Sequence, residues 1–129
     1  MRRTHRPVDR VRFATLLLVV LAPGCGGQSP ADPDQARATL REALDAWRDG
    51  RTIDDMTNVS PPIAVADPYW KDGFKLSRYE VAETTRAVGF DLKMPVKLWL
   101  EDPKGKTREE TVKYTVSVQP SRTVIRAPL

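Results

Sequence analysis

A single cysteine, Cys25, and a single histidine, His5, supply all the thiol and imidazole in a chain of 129 residues, and from Gly26 onward there is neither. One cysteine cannot close an internal disulfide. Zinc and copper sites lean on His and Cys, as do most catalytic triads and proton shuttles near neutral pH, so these classes are excluded for everything after residue 25. Carboxylate, Lys, Tyr or Ser chemistry remains. The acidic pairs Asp54-Asp55, Glu101-Asp102 and Glu109-Glu110 read as solvated charges, because neighbours in a strand point to opposite faces. Asp67 and Asp72 lack the dense alternation of a calcium loop, so no metal is expected. Gly24-Cys25-Gly26-Gly27 is followed by Pro30 and Pro33 with no βαβ unit around it, which removes a dinucleotide loop, and no cofactor is expected. Asn58-Val59-Ser60 has the form of a glycosylation sequon, but Pro61 follows directly and chance is the favoured account.

Long apolar runs are also missing. The one stretch of note, Phe13 to Ala22, is half the length of a spanning helix, which needs about 20 residues. It follows a basic segment, Arg2, Arg3, Arg6, Arg10 and Arg12 against Asp9 alone, and it closes on Leu21-Ala22-Pro23-Gly24-Cys25. A basic region, a short apolar core and a small-residue boundary form the pattern of a cleaved export signal. This junction resembles the lipobox of bacterial lipoproteins, in which a small residue precedes a cysteine that is lipidated and becomes the new N-terminus. The family pattern prefers a larger aliphatic residue three places before the cysteine, where this chain has Ala22, with Leu21 one step early. The resemblance implies a signal peptide over 1–24, lipidation at Cys25, a flexible tether over 25–31 and a single domain over 32–129 on the extracytoplasmic side of a bacterial membrane.

Removing residues 1–24 changes the charge. The precursor carries 21 Lys+Arg against 17 Asp+Glu, but five of the bases and one acid lie in the leader, leaving 16 of each sign. The basic balance belongs to the signal, so nucleic acid is not an expected partner.

Within the domain, Asp32 reads as an N-cap followed by Pro33 at the first helical position, with Gln35 in a capping-box place and Gly50 as the stop. Ala36, Leu40, Ala43, Leu44 and Trp47 share one face. Thr52 to Met56 predicts a short capped turn, and Ser60 to Phe74 an irregular crossing with turns at Asp67-Pro68 and Asp72-Gly73. From Phe74 the period becomes two, which predicts strands over 76–85, 90–101, 107–119 and 122–128. With Glu101 opposite Thr107, Val96 meets Val112, Met94 meets Tyr114, Leu92 meets Val116 and Phe90 meets Val118. Pro95 inside a strand calls for a bulge or a local edge, and a parity change predicts a bulge near Ser77-Arg78.

The fold class is therefore α+β: one long N-terminal helix, plus a short helical turn, on one face of a four-stranded antiparallel meander. The arrangement, with the helix ending in Asp-Ala-Trp-Arg-Asp-Gly, is similar to the cystatin-like and nuclear-transport-factor-like fold group. Members of that group cup ligands, act as isomerases or hydrolases, inhibit proteases or serve as association modules. No acid falls among the residues assigned to the buried face, which favours a non-enzymatic binding module over a carboxylate-dependent enzyme or a structural assembly subunit. Tyr69 and Trp70 in the crossing and Trp99 on the wet face are the candidate partner contacts.

Overall fold

The computed structural model describes residues 32–88 and 91–128, and among these the first helix, α1 (Pro33–Arg48), begins where its capping residue requires. Asp32 Oδ1 accepts from the Asp34 N–H at 2.9 Å, one residue short of Gln35, and Pro33 fills a position whose N–H has no helical partner. The helix stops at a left-handed Gly50, φ +85°, where Gly50 N–H donates to Trp47 O and Arg51 N–H to Ala46 O. That pair of bonds is a Schellman closure, and glycine enters it without the steric cost a Cβ would carry. Ala36, Leu40, Ala43, Leu44 and Trp47 are all buried, joined by Thr39 and Ala46. Each leucine so removed from water contributes about 1.5–3 kcal/mol.

A 3₁₀ turn over Asp54–Thr57 follows, closed by a reciprocal box in which Asp55 Oδ2 accepts from Thr52 N–H at 2.9 Å and Thr52 Oγ1 accepts from Asp55 N–H at 3.3 Å. Its Met56 is fully buried. The segment expected to be irregular instead holds a strand, β1 (Ile63–Ala66), and one helical turn, α2 (Pro68–Lys71).

The remaining strands are β2 (Lys75–Val81), β3 (Arg86–Val88), β4 (Asp91–Glu101), β5 (Thr107–Ser117) and β6 (Arg122–Arg126). They form with β1 one six-stranded sheet in the order β1-β6-β5-β4-β2, with β3 beside β4. The four-stranded antiparallel meander is therefore corrected to a mixed sheet: β1 lies parallel to β6, from Ile63↔Arg122 to Ala66↔Ile125. The strand expected over 76–85 is divided, because β2 leaves β4 after Val81↔Val96 and β3 resumes the pairing at Arg86↔Lys93.

The central register is as the alternation dictates. Val96 faces Val112, Met94 faces Tyr114, Leu92 faces Val116 and Glu101 faces Thr107; the Phe90 pair, like Cys25 and the leader, lies outside the described residues. A one-residue slip would turn every valine to the solvent face. The register shift falls between Leu76 and Arg78. Pro95 sits opposite the break between β2 and β3, where its carbonyl accepts from Ala82 N–H at 2.9 Å. In an antiparallel strand a residue's N and O project to the same side, so the missing proline donor faces a gap in the ladder, a local edge. The helix covers the face carrying Leu92, Met94, Val96, Leu98, Leu100, Val112, Val116 and Val124, all buried.

Candidate functional site

Asp67 continues the inward parity of Ile63 and Val65 one step past β1, and it caps α2 at the same time. Its Oδ1 accepts from the Tyr69 and Trp70 N–H groups at 3.0 and 3.4 Å, with Pro68 at the first helical position. Its Oδ2 accepts from Arg126 Nη2 at 2.9 Å and from the Tyr114 hydroxyl. The register assembles this cluster: Tyr114 opposes Arg126 across β5 and β6, and Asp67 follows the Ala66↔Ile125 pair. The Asp67 side chain has no exposed surface and that of Arg126 has 10%. The buried face thus does contain an acid, contrary to the sequence expectation, because Asp67 before a proline reads as a turn residue when β1 goes unrecognised.

The cluster extends outward. Arg126 stacks over the Tyr69 ring at 4.3 Å, and its Nη1 lies 3.9 Å from Glu110 Oε2. Glu110 Oε1 accepts from the Tyr69 hydroxyl at 3.2 Å. Burial, reinforced by the Asp67 charge, pushes the Tyr114 phenol far above its ordinary pKa. Burial works against the Arg126 charge, but Tyr114 and Asp67 outweigh it and hold its pKa above the ordinary value. All four contacts of Asp67 are donors to its carboxylate, so both oxygens are occupied from within the protein.

Beside this cluster, α1 and α2 end in the same way. Gly73, φ +89°, donates to Trp70 O while Phe74 N–H donates to Tyr69 O, a second Schellman closure. The two indoles preceding these glycines stack, Trp47 on Trp70, with centroids 5.4 Å apart and planes 6° from parallel. Trp47 Nε1 donates to Phe74 O at 2.8 Å and Trp70 Nε1 to Arg51 O at 2.8 Å. Stacked aromatic pairs contribute about 0.5–1.5 kcal/mol beyond their area.

This joint is the floor of a groove of about 1020 Å³. Ile53, Val65 and Phe74 supply further apolar wall, Arg51, Lys71, Lys75 and Arg126 the cations, and Asp54, Asp67 and Asp72 the acids. Small-ligand sites are concave, with apolar walls and a few convergent polar groups, and this groove is a more polar example, with seven ionisable residues in its lining.

The three residues singled out in the sequence part company. Trp70 is 7% exposed and lines the groove through its stack on Trp47. Tyr69, half-buried, is not among the groove residues but packs on the back of the groove wall at Phe74, with ring centroids 4.6 Å apart, and reaches Glu110. Trp99 is on the opposite face of the sheet, opposite Glu109, with the Arg78 guanidinium 4.5 Å and the Lys97 ammonium 5.0 Å from its ring centroid. The sequence places Ile53 facing inward and Trp47 on the apolar stripe of α1, as core or as the lining of a pocket; Ile53 is a groove wall and Trp47 half of the joint. A visible signal existed, since Trp47-Arg48-Asp49-Gly50 recurs as Trp70-Lys71-Asp72-Gly73.

No group of three His, Cys, Asp or Glu among the described residues is placed to hold a metal ion, and no helix among them is long and apolar enough to cross a membrane. No protein-family model, curated protein or solved structure matches the chain.

Proposed function

We propose that this chain is an envelope lipoprotein, anchored through Cys25, whose domain is a non-enzymatic binding module with the Trp47–Trp70 groove as its ligand site. The observation that carries the choice of binding over catalysis is the saturation of Asp67. It is the one acid buried among the described residues, and its four hydrogen-bond donors leave no lone-pair direction for a substrate proton. A carboxylate so engaged holds β1, α2 and β6 together; a general acid or base needs a partner that comes and goes. The groove beside it offers an apolar floor and a rim of both signs, which suits an apolar or flat body carrying a charged group. Tyr69 and Trp99, outside the groove, remain proposed contacts for a protein partner.

Anilinonaphthalene sulfonate, an apolar anion, is a suitable probe for the groove. The folded protein is expected to bind it, and Ile53→Asp, on a partly buried groove wall, to weaken binding about tenfold or more with the circular dichroism spectrum unchanged. Equal binding by the two proteins would remove the groove from the proposal.

A further inference from the structure

The outer face of the sheet carries both ion pairs and unpaired cations. Toward the β4–β5 hairpin two of its cations have acidic partners: Lys97 Nζ lies 2.6 Å from Glu109 Oε1, and Arg78 pairs with Glu80. At the other end of the same strands Arg86, Lys93 and Lys113 are exposed, and none of them forms an ion pair with an acid among the described residues. Pairing puts Arg86, Lys93, Thr115, Ile125 and Ala66 in one row across β3, β4, β5, β6 and β1, with Lys113 two residues along β5 on the same face. Ile125, 43% exposed, is the one large hydrophobic exposed among the described residues. Three unpaired cations and an exposed isoleucine, with Asp91 the one acid beside Lys93 on this face, form a surface of net positive charge complementary to anionic headgroups over an apolar layer.

The chain enters the domain at this same end. Arg37, in the second turn of α1, donates from Nη2 to Glu83 O at 2.9 Å, three residues before Arg86. At the far end of the helix Trp47 reaches Phe74, where β2 is about to begin. The Trp47–Trp70 floor of the groove therefore lies toward the hairpin end, with a wall that reaches back to Ala66, and Asp32 lies at the basic end. Residues 26–31 span at most about 20 Å, so an anchor at Cys25 keeps Asp32 and the basic end within about that distance of the bilayer. We infer that Arg86, Lys93, Lys113 and Ile125 rest on the anionic headgroups of a bilayer and turn the groove toward the aqueous side. The orientation rests on the proposed anchor, whereas the headgroup contact has its own observable.

The test is lysine footprinting of the full-length protein on phosphatidylcholine vesicles with and without roughly one-third phosphatidylglycerol. A membrane-impermeant amine-acylating reagent is read residue by residue by mass spectrometry. On the anionic vesicles Lys93 and Lys113 are expected to react at least about fivefold more slowly, with Lys71 and Lys75 at the groove unchanged, and the difference to vanish at about 0.5 M salt, where the screening length falls below about 5 Å. Equal reactivity on the two kinds of vesicle, or slowing at Lys71 and Lys75 instead, overturns the inference. Partition of the chain from Gly26 onward, which lacks both the acyl chains and the basic leader, onto anionic vesicles is expected to fall about fivefold for each of Arg86→Gln, Lys93→Gln and Lys113→Gln, equivalent to about 1 kcal/mol per cation. If the wild type carries no acyl group while Lys93 and Lys113 are still slowed, only the anchor falls. If it is acylated and the lysines are not slowed, only the headgroup contact falls.

Discussion

Trp47 and Trp70 are bonded reciprocally: each indole donates to the carbonyl four residues beyond the other, Trp47 to Phe74 and Trp70 to Arg51. Each carbonyl follows a left-handed glycine that ends a helix, so the repeated Trp-Arg/Lys-Asp-Gly sequence makes two halves of one joint with a local two-fold character. Replacing either tryptophan by phenylalanine keeps a stacked ring and deprives one part-buried carbonyl of its donor, at a cost of about 1–3 kcal/mol. The two losses are expected to be coupled, because both indoles share one stack. A double-mutant cycle in urea should give an interaction of about 0.5 kcal/mol or more; strict additivity would mean that the rings act independently.

The Asp67–Arg126 pair predicts an asymmetry between breaking it and replacing it. Asp67→Asn leaves a guanidinium that is 10% exposed with only the more distant Glu110, 3.9 Å away, as counter-charge, and should cost about 3 kcal/mol. Asp67→Asn combined with Arg126→Met should cost less than Asp67→Asn alone, since the stranded charge is gone. Tyr114→Phe removes one donor to the same oxygen and should cost about 1–3 kcal/mol. Chemical denaturation of the four proteins provides the comparison, and a double variant less stable than the single one would contradict it.

Acid sensitivity is expected from the hairpin. Asp102 Oδ1 accepts from the Lys104 and Lys106 N–H groups at 2.8 and 2.9 Å, and the Lys106 bond above all holds its carboxyl below the usual carboxylate range. Its contribution is present above the unfolded value of about 3.9 and is lost as the pH falls through the lowered folded value. Asp102→Asn keeps an acceptor for both bonds but cannot titrate, so it should flatten the fall of Tm between about pH 4 and pH 2. An unchanged slope would exclude Asp102 as a source of that sensitivity.

Alkaline sensitivity has a different source. Burial, and then the 2.7 Å bond that its hydroxyl donates to Asp45, push the Tyr79 phenol up to about 12. Stability from this group is complete below about pH 10, the unfolded value, and is lost as the pH rises through about 12, because the unfolded chain releases its proton first. Tyr79→Phe should cost about 1 kcal/mol at neutral pH and reduce the decline above about pH 10. Absorbance titration near 295 nm would contradict this if Tyr79 ionised at its ordinary value while the protein remained folded.

How much of this was legible follows from how the signals are made. The β4–β5 register could be read because Leu92 to Leu100 and Val112 to Val116 alternate without a break, leaving one pairing that buries every apolar residue. The cap at Asp32, the stop at Gly50 and the box between Thr52 and Asp55 are local chemistry, written in a few adjacent residues. β1 was hidden because Ile63-Ala64-Val65-Ala66 is too short for periodicity to declare itself, and its partner β6 lies 59 residues further along the chain. With β1 went Asp67: its capping role is local, but its contacts with Tyr114 and Arg126 exist only once three strands are side by side. The grouping of Arg86, Lys93 and Lys113 on the outer face was equally invisible, since it exists only once β3, β4 and β5 are side by side.

The central claim is that the mature protein begins at an acylated Cys25, and the most direct measurement is the intact mass and N-terminal peptide of the protein recovered from cell membranes. The predicted result is a chain whose first residue is Cys25 carrying at least two acyl chains, enough for durable attachment, with a Cys25→Ser form that takes up no acyl label. A membrane-derived chain that retains His5, or one that starts beyond residue 25 without lipid, would contradict it.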